Sequence, residues 1–104
     1  MRKEDVIIRV LLETCDEVGL VNGRQAFAAS MCQSIMQLIK EKKLNYYQVM
    51  LIIGWDGRFV FGNKLSRRRI ASVLMPKLRA ALELYERPAS IKAQRIRAAQ
   101  WARE

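Results

Sequence analysis

Between Glu4 and Val18 the apolar side chains Val6, Ile7, Val10, Leu11, Cys15 and Val18 recur every three or four residues. That spacing lays them along one stripe of an α-helix, and Gly19 supplies the stop. A second stripe, Phe27, Ala28, Met31, Ile35, Leu38 and Ile39, predicts a helix from Gly23 to about Lys42. Asn22 and Gln25 have the spacing of a capping box at its start. Ala26, Ala28, Ala29 and Ser30 are small enough to let another helix approach closely, within the chain or across a dimer, and this N-terminal half, short of charge and rich in alanine and apolar stripe, suggests a homodimer. A third stripe, Ile70, Val73, Leu74, Leu78, Ala81, Leu82 and Tyr85, follows a cap at Ser66 and runs to Glu86. Pro76 falls inside it, removing a backbone donor and crowding the carbonyl of Ser72, so a kink or break is expected at 73–75. Beyond Arg87-Pro88, Ser90 can cap a last segment from Ile91 to Glu104. Only Ile91, Ala98, Trp101 and Ala102 give that segment a thin apolar face.

The pattern is ambiguous between Asn45 and Gly62. Tyr46 to Ile53 is rich in β-forming residues, and Asp56-Gly57 suits a tight hairpin turn between Val49–Trp55 and Arg58–Phe61. Against two strands stand three signals of a helix. Asn45 and Gln48 repeat the capping-box spacing, Leu44 and Val49 stand where a hydrophobic staple places them, and Gly54 offers a C-terminal stop. The helix is preferred because the apolar positions do not alternate cleanly. Trp55 to Phe61 then forms a loop or one short strand.

These readings give a mainly α fold, a compact bundle of about four to five helices, with a short β-hairpin or wing around Trp55–Phe61 as the open alternative. The length of 104 residues suits one core, so residues 1–88 are taken as a single helical domain and 89–104 as a basic C-terminal helix or tail. Arg9 interrupts the apolar stretch from Val6 to Leu12, and no run approaches the ~18 residues that cross a bilayer. A cytoplasmic protein is expected. Cys15 and Cys32 sit inside apolar helical patterns rather than in metal or redox spacing, which predicts two buried free thiols.

Charge changes the picture. After Ile52 there are 12 Lys and Arg against 4 acids, whereas the first 52 residues hold 7 bases and 6 acids, so the halves carry +8 and +1. Such a field attracts a polyanion, and nucleic acid is the strongest candidate because every phosphate neutralised frees a condensed counterion. The densest cluster is Arg67-Arg68-Arg69, with Lys64 just before it. Successive helical residues step by about 100°, so three arginines fan around the helix and at least two must face outward. Basic groups at a helix start also oppose the macrodipole. None of the three has a carboxylate four residues on. Guanidinium forks suit phosphate oxygens and the paired acceptors of guanine, which makes this helix start the expected contact.

Lys92, Arg95 and Arg97, with Arg103, would form a sequence-blind arm along a phosphate backbone. Arg58, flanked by Trp55, Phe59 and Phe61, could join the contact, although Phe59 and Phe61 are better placed in a core. Arg79 and Arg87 lie at pairing distance in sequence from Glu83, and Lys77 reads as an ordinary exposed lysine.

An enzyme is not expected. The chain has no His, no Gly-rich phosphate loop, and too few cysteines for a zinc site, so neither metal nor other cofactor is predicted. Glu13, Asp16 and Glu17 lie close together on one turn, but a solvated helix face accounts for them. The sequence therefore suggests a DNA-binding regulator, with DNA preferred over RNA. The alternative is a protein–protein module, an inhibitor or adaptor, that grips an acidic partner surface.

Overall fold

The computed structural model describes residues 2–55 and 66–86, and among them it places four helices and no strand. They are α1 (Lys3–Val18), α2 (Arg24–Lys40), α3 (Tyr46–Trp55) and α4 (Arg67–Glu86). The helical preference for the ambiguous region is thus correct over Tyr46–Trp55. The proposed strand Val49–Trp55 is overturned, and a wing at 56–61 lies outside the described residues.

Local chemistry explains the boundaries. At the start of α3, Asn45 Oδ1 accepts the Gln48 N–H at 2.9 Å, the bond a cap residue makes. After α1, Gly19 adopts the left-handed conformation (φ 79°), and the N–H of Leu20 reaches back to the Cys15 carbonyl at 2.9 Å. Leu20 itself is buried, the apolar contact that accompanies this type of closure. The predicted capping box at Asn22 is not what opens α2. Gly23 is the cap residue, left-handed at φ 74° and without a side-chain cap bond.

A predicted helix stop and a predicted helix break are not found. Gly54 does not stop α3 but lies within it. Pro76 does not break α4, which continues from Arg67 to Glu86. Ser72 and Pro76 both lie on the exposed face, where solvent can satisfy the carbonyl that loses its donor, while Leu74, Met75 and Leu78 anchor the same turns in the core.

Adjacent helices run in opposite senses. Arg24 near the start of α2 meets Asp16 near the end of α1, and the Cys32 thiol points at the Glu4 carbonyl (3.7 Å). Lys3 meets Glu86 (3.9 Å) and Lys77 meets Glu17 (3.1 Å), which sets α4 against α1 head to tail. Contacts join α1 to α2, α2 to α3, α3 to α4 and α4 back to α1, closing a ring of four. The predicted stripes line its interior: Ile7, Leu11, Phe27, Met31, Ile35, Val49, Ile53, Ile70, Leu74 and Leu78 are all completely buried. Nearly all of the apolar stripe of α1 and α2 is therefore used inside one copy of the chain. Of the small residues at the start of α2, Ala28 is buried inside the monomer, whereas Ala26 and Ala29 are exposed.

Candidate nucleic-acid interface

Residues Arg67, Arg68 and Arg69 form the first turn of α4, directly after Ser66, whose carbonyl accepts the Ile70 N–H at 3.2 Å. Ile70 and Ala71 are the first core residues of the helix, and they fix the turn against its neighbours. All three arginines are exposed. Among the described residues none of them makes an ion pair.

The three are not equivalent. A Cβ built on Gly54 would stand 2.5 Å from Arg67 Nη1 and 3.5 Å from its Cδ and Cζ, so the Arg67 side chain lies across the last turn of α3. A guanidinium there lies near the C-terminal end of that helix, a favourable place for a cation. Arg68 and Arg69 make no side-chain hydrogen bond or ion pair among the described residues.

Elsewhere the charges are matched. Each acid of the α1 cluster meets a base: Glu13 with Arg9 of the same helix (4.0 Å), Asp16 with Arg24 Nη1 of α2 (2.6 Å) and Glu17 with Lys77 of α4 (3.1 Å). Lys77 is therefore a bridge between α4 and α1 rather than a free lysine. Sequence spacing could expose only the first of these pairs. Arg24 is the most committed, because its Nε is buried without a hydrogen-bond partner among the described residues and relies on the same carboxylate for charge compensation.

Of the residues expected at the site, Arg58, Lys64, Lys92, Arg95 and Arg97 lie outside the described residues, as do Phe59 and Phe61. The structure brings together Arg67, Arg68 and Arg69 only. Tyr46 and Tyr47 open α3, and Trp55 is its last residue, about 13 Å away along the axis.

No metal-ligating group of three His, Cys, Asp or Glu occurs among the described residues, and no described helix is long and apolar enough to cross a membrane. Cys15 and Cys32 are free and buried, as the pattern predicted. Burial pushes both thiols up from their ordinary pKa; Asp16 adds to the rise at Cys15 against the opposing Arg24, and Glu4 and Asp5 add to it at Cys32. Neither has the lowered pKa of a reactive thiolate. Comparison of the chain with models of protein families gives no match, and comparisons with curated proteins and with solved structures give no significant match either.

Proposed function

We propose that this chain is a small nucleic-acid-binding protein, a DNA-binding regulator that meets the phosphates of a duplex with the exposed arginines at the start of α4. One observation carries the reading. Five acids of the described residues, Asp5, Glu13, Asp16, Glu17 and Glu86, each hold a base, yet none of these bases is Arg67, Arg68 or Arg69. Three exposed guanidinium groups at one helix start, on a turn anchored by buried Ile70 and Ala71, make a rigid cationic edge. Groups of this type bind phosphate in a bidentate manner and strip counterions from the duplex. Arg58, Lys64, Lys92, Arg95 and Arg97 extend the same reading along the backbone, adding affinity without choosing a sequence.

The test is a titration of the purified protein against labelled duplex DNA at several salt concentrations. Four to six phosphate contacts give a slope of log K against log salt of roughly −4 to −5. Replacing Arg67, Arg68 and Arg69 together by Ala is expected to weaken duplex binding by about tenfold or more at moderate salt, with the fold intact by circular dichroism. Unchanged affinity removes these residues from the site.

A further inference from the structure

The bundle has a second unpartnered cationic cluster at its opposite end, in the turn from α2 into α3. Lys40, Lys42 and Lys43 are exposed, and none forms an ion pair among the described residues. The carboxylate inside this run, Glu41, accepts a hydrogen bond from Gln37 Nε2 at 3.1 Å.

The backbone of the turn makes the choice of lysine informative. The N–H of Lys43 bonds to the Leu38 carbonyl (2.8 Å) and that of Lys42 to the Ile39 carbonyl (3.0 Å), the closure usually completed by a left-handed glycine. Lys42 occupies that glycine position with φ 58°. Gly19 fills the corresponding place after α1 at φ 79°. A β-carbon is disfavoured in this conformation, so the backbone itself does not favour lysine here.

Three and four residues after Lys43 come two rings. Tyr46 is 40% and Tyr47 66% exposed, at the first two positions of α3. Packing does not account for a tyrosine held that far into solvent.

We propose that this turn is a contact for single-stranded nucleic acid, in which Lys40, Lys42 and Lys43 meet phosphates and Tyr47, with Tyr46 beside it, stacks on an unpaired base. A single strand fits better than a duplex because its bases offer open faces to a ring, whereas those of a duplex are already stacked on one another. The groove on the α4 side of Lys42 balances Lys42 and Arg79 against Glu83 and Glu86, so the uncompensated charge of this end lies on the lysines of the turn. Lys42 shares that groove with Arg79 and Glu86, at the far end of a 20-residue helix from Arg67, a length of about 30 Å. One molecule can then hold a duplex at one end and a single strand at the other. The inference rests on the nucleic-acid reading above, but on different residues.

The experiment measures the full chain against a labelled oligothymidine of about 12 nucleotides, within the usual range of single-strand site sizes, and against a labelled duplex. Tyr47→Ala is expected to weaken oligothymidine binding about fivefold or more and to leave duplex binding unchanged, the loss corresponding to one stacked base. Replacing Lys40, Lys42 and Lys43 by Gln should flatten the single-strand salt slope by about 2, at roughly 0.7 for each phosphate no longer neutralised. Lys42→Gly should raise the melting temperature while weakening oligothymidine binding, which separates the backbone's preference from the ligand's. The proposal is overturned if Tyr47→Ala leaves oligothymidine binding unchanged, or if polyglutamate displaces the oligonucleotide as readily as unlabelled oligothymidine does, since an acidic protein surface would then be the partner. If the triple arginine variant keeps its duplex affinity while Tyr47→Ala still loses the single strand, the arginine reading fails and this one stands; the reverse pattern defeats this one alone.

Discussion

The polar face of α1 and the first turn of α4 both carry dense charge, yet they treat it in opposite ways. On α1 the acids Glu13, Asp16 and Glu17 are each met by a base, and two of those bases come from α2 and α4. These two pairs cross helix boundaries and tie the bundle together along one side. At the start of α4 three bases stand exposed with no carboxylate partner among the described residues. Like charges in one helical turn repel, and they oppose the dipole of their own helix, so this edge costs stability where the α1 face adds a little. Charge that is paired inside the chain belongs to its architecture; charge left unpaired at a mild cost is available to something outside.

The sharpest contrast is between the scaffold and that edge. Phe27 is completely buried at the start of α2, and Phe27→Ala is expected to destabilise the fold by about 3–5 kcal/mol through reduced burial and the cavity left behind. Urea denaturation measures this, and duplex binding should fail with the fold. Replacing the arginines should do the reverse, lowering affinity and leaving the urea midpoint unchanged or slightly higher. A triple arginine variant that unfolds with Phe27→Ala would break the distinction between the two regions.

A smaller effect tests the paired face. Asp16→Asn removes the partner of Arg24 and leaves its guanidinium, including the buried Nε, without a compensating charge. Both side chains are partly exposed, at 36% and 62%, so solvent screens much of the interaction and the expected loss is about 1 kcal/mol, again read from urea denaturation. Duplex affinity should hold. A fall in affinity as large as that of the arginine variant would mean that the α1 face also belongs to the interface.

What could be read from the residues alone follows the range of the interactions involved. The stripe Val6, Ile7, Val10, Leu11, Cys15 and Val18 is buried throughout because helical periodicity is a local property that the core then uses. Asn45 was legible as a cap for the same reason, its partner being three residues away. Pro76 does not break α4 because the penalty of a proline is local, whereas the burial of Leu74, Met75 and Leu78 that holds the helix together comes from neighbouring helices. Asn22 misled because Gly23 beside it takes a left-handed conformation and becomes the cap itself. The clustering of Arg67, Arg68 and Arg69 was plain in the sequence, but the bridges from Asp16 to Arg24 and from Glu17 to Lys77 were not. They join residues whose proximity exists only after the helices have packed.

The subtlest distinction divides the arginine cluster itself, and Gly54 gives access to it. Alanine at this position, within the helical span of α3, gains about 0.5–1 kcal/mol over glycine in backbone entropy. Its β-carbon, however, would fall 2.5 Å from Arg67 Nη1, and the flexible end of the arginine must give way. Moving the guanidinium off the last turn of α3 forfeits a cation–dipole attraction of about 0.3–1 kcal/mol, so the two terms nearly cancel. Gly54→Ala is therefore expected to shift stability by only a few tenths of a kcal/mol. Its informative effect lies in binding: an Arg67 released from α3 is free to join Arg68 and Arg69, and one added phosphate contact steepens the duplex salt slope by about 0.9. A weaker affinity instead would mean that the side chain meets phosphate from its place against Gly54. A loss of stability well above 1 kcal/mol would assign Arg67 to the architecture, as a brace between α3 and α4, and leave Arg68 and Arg69 as the unpartnered pair.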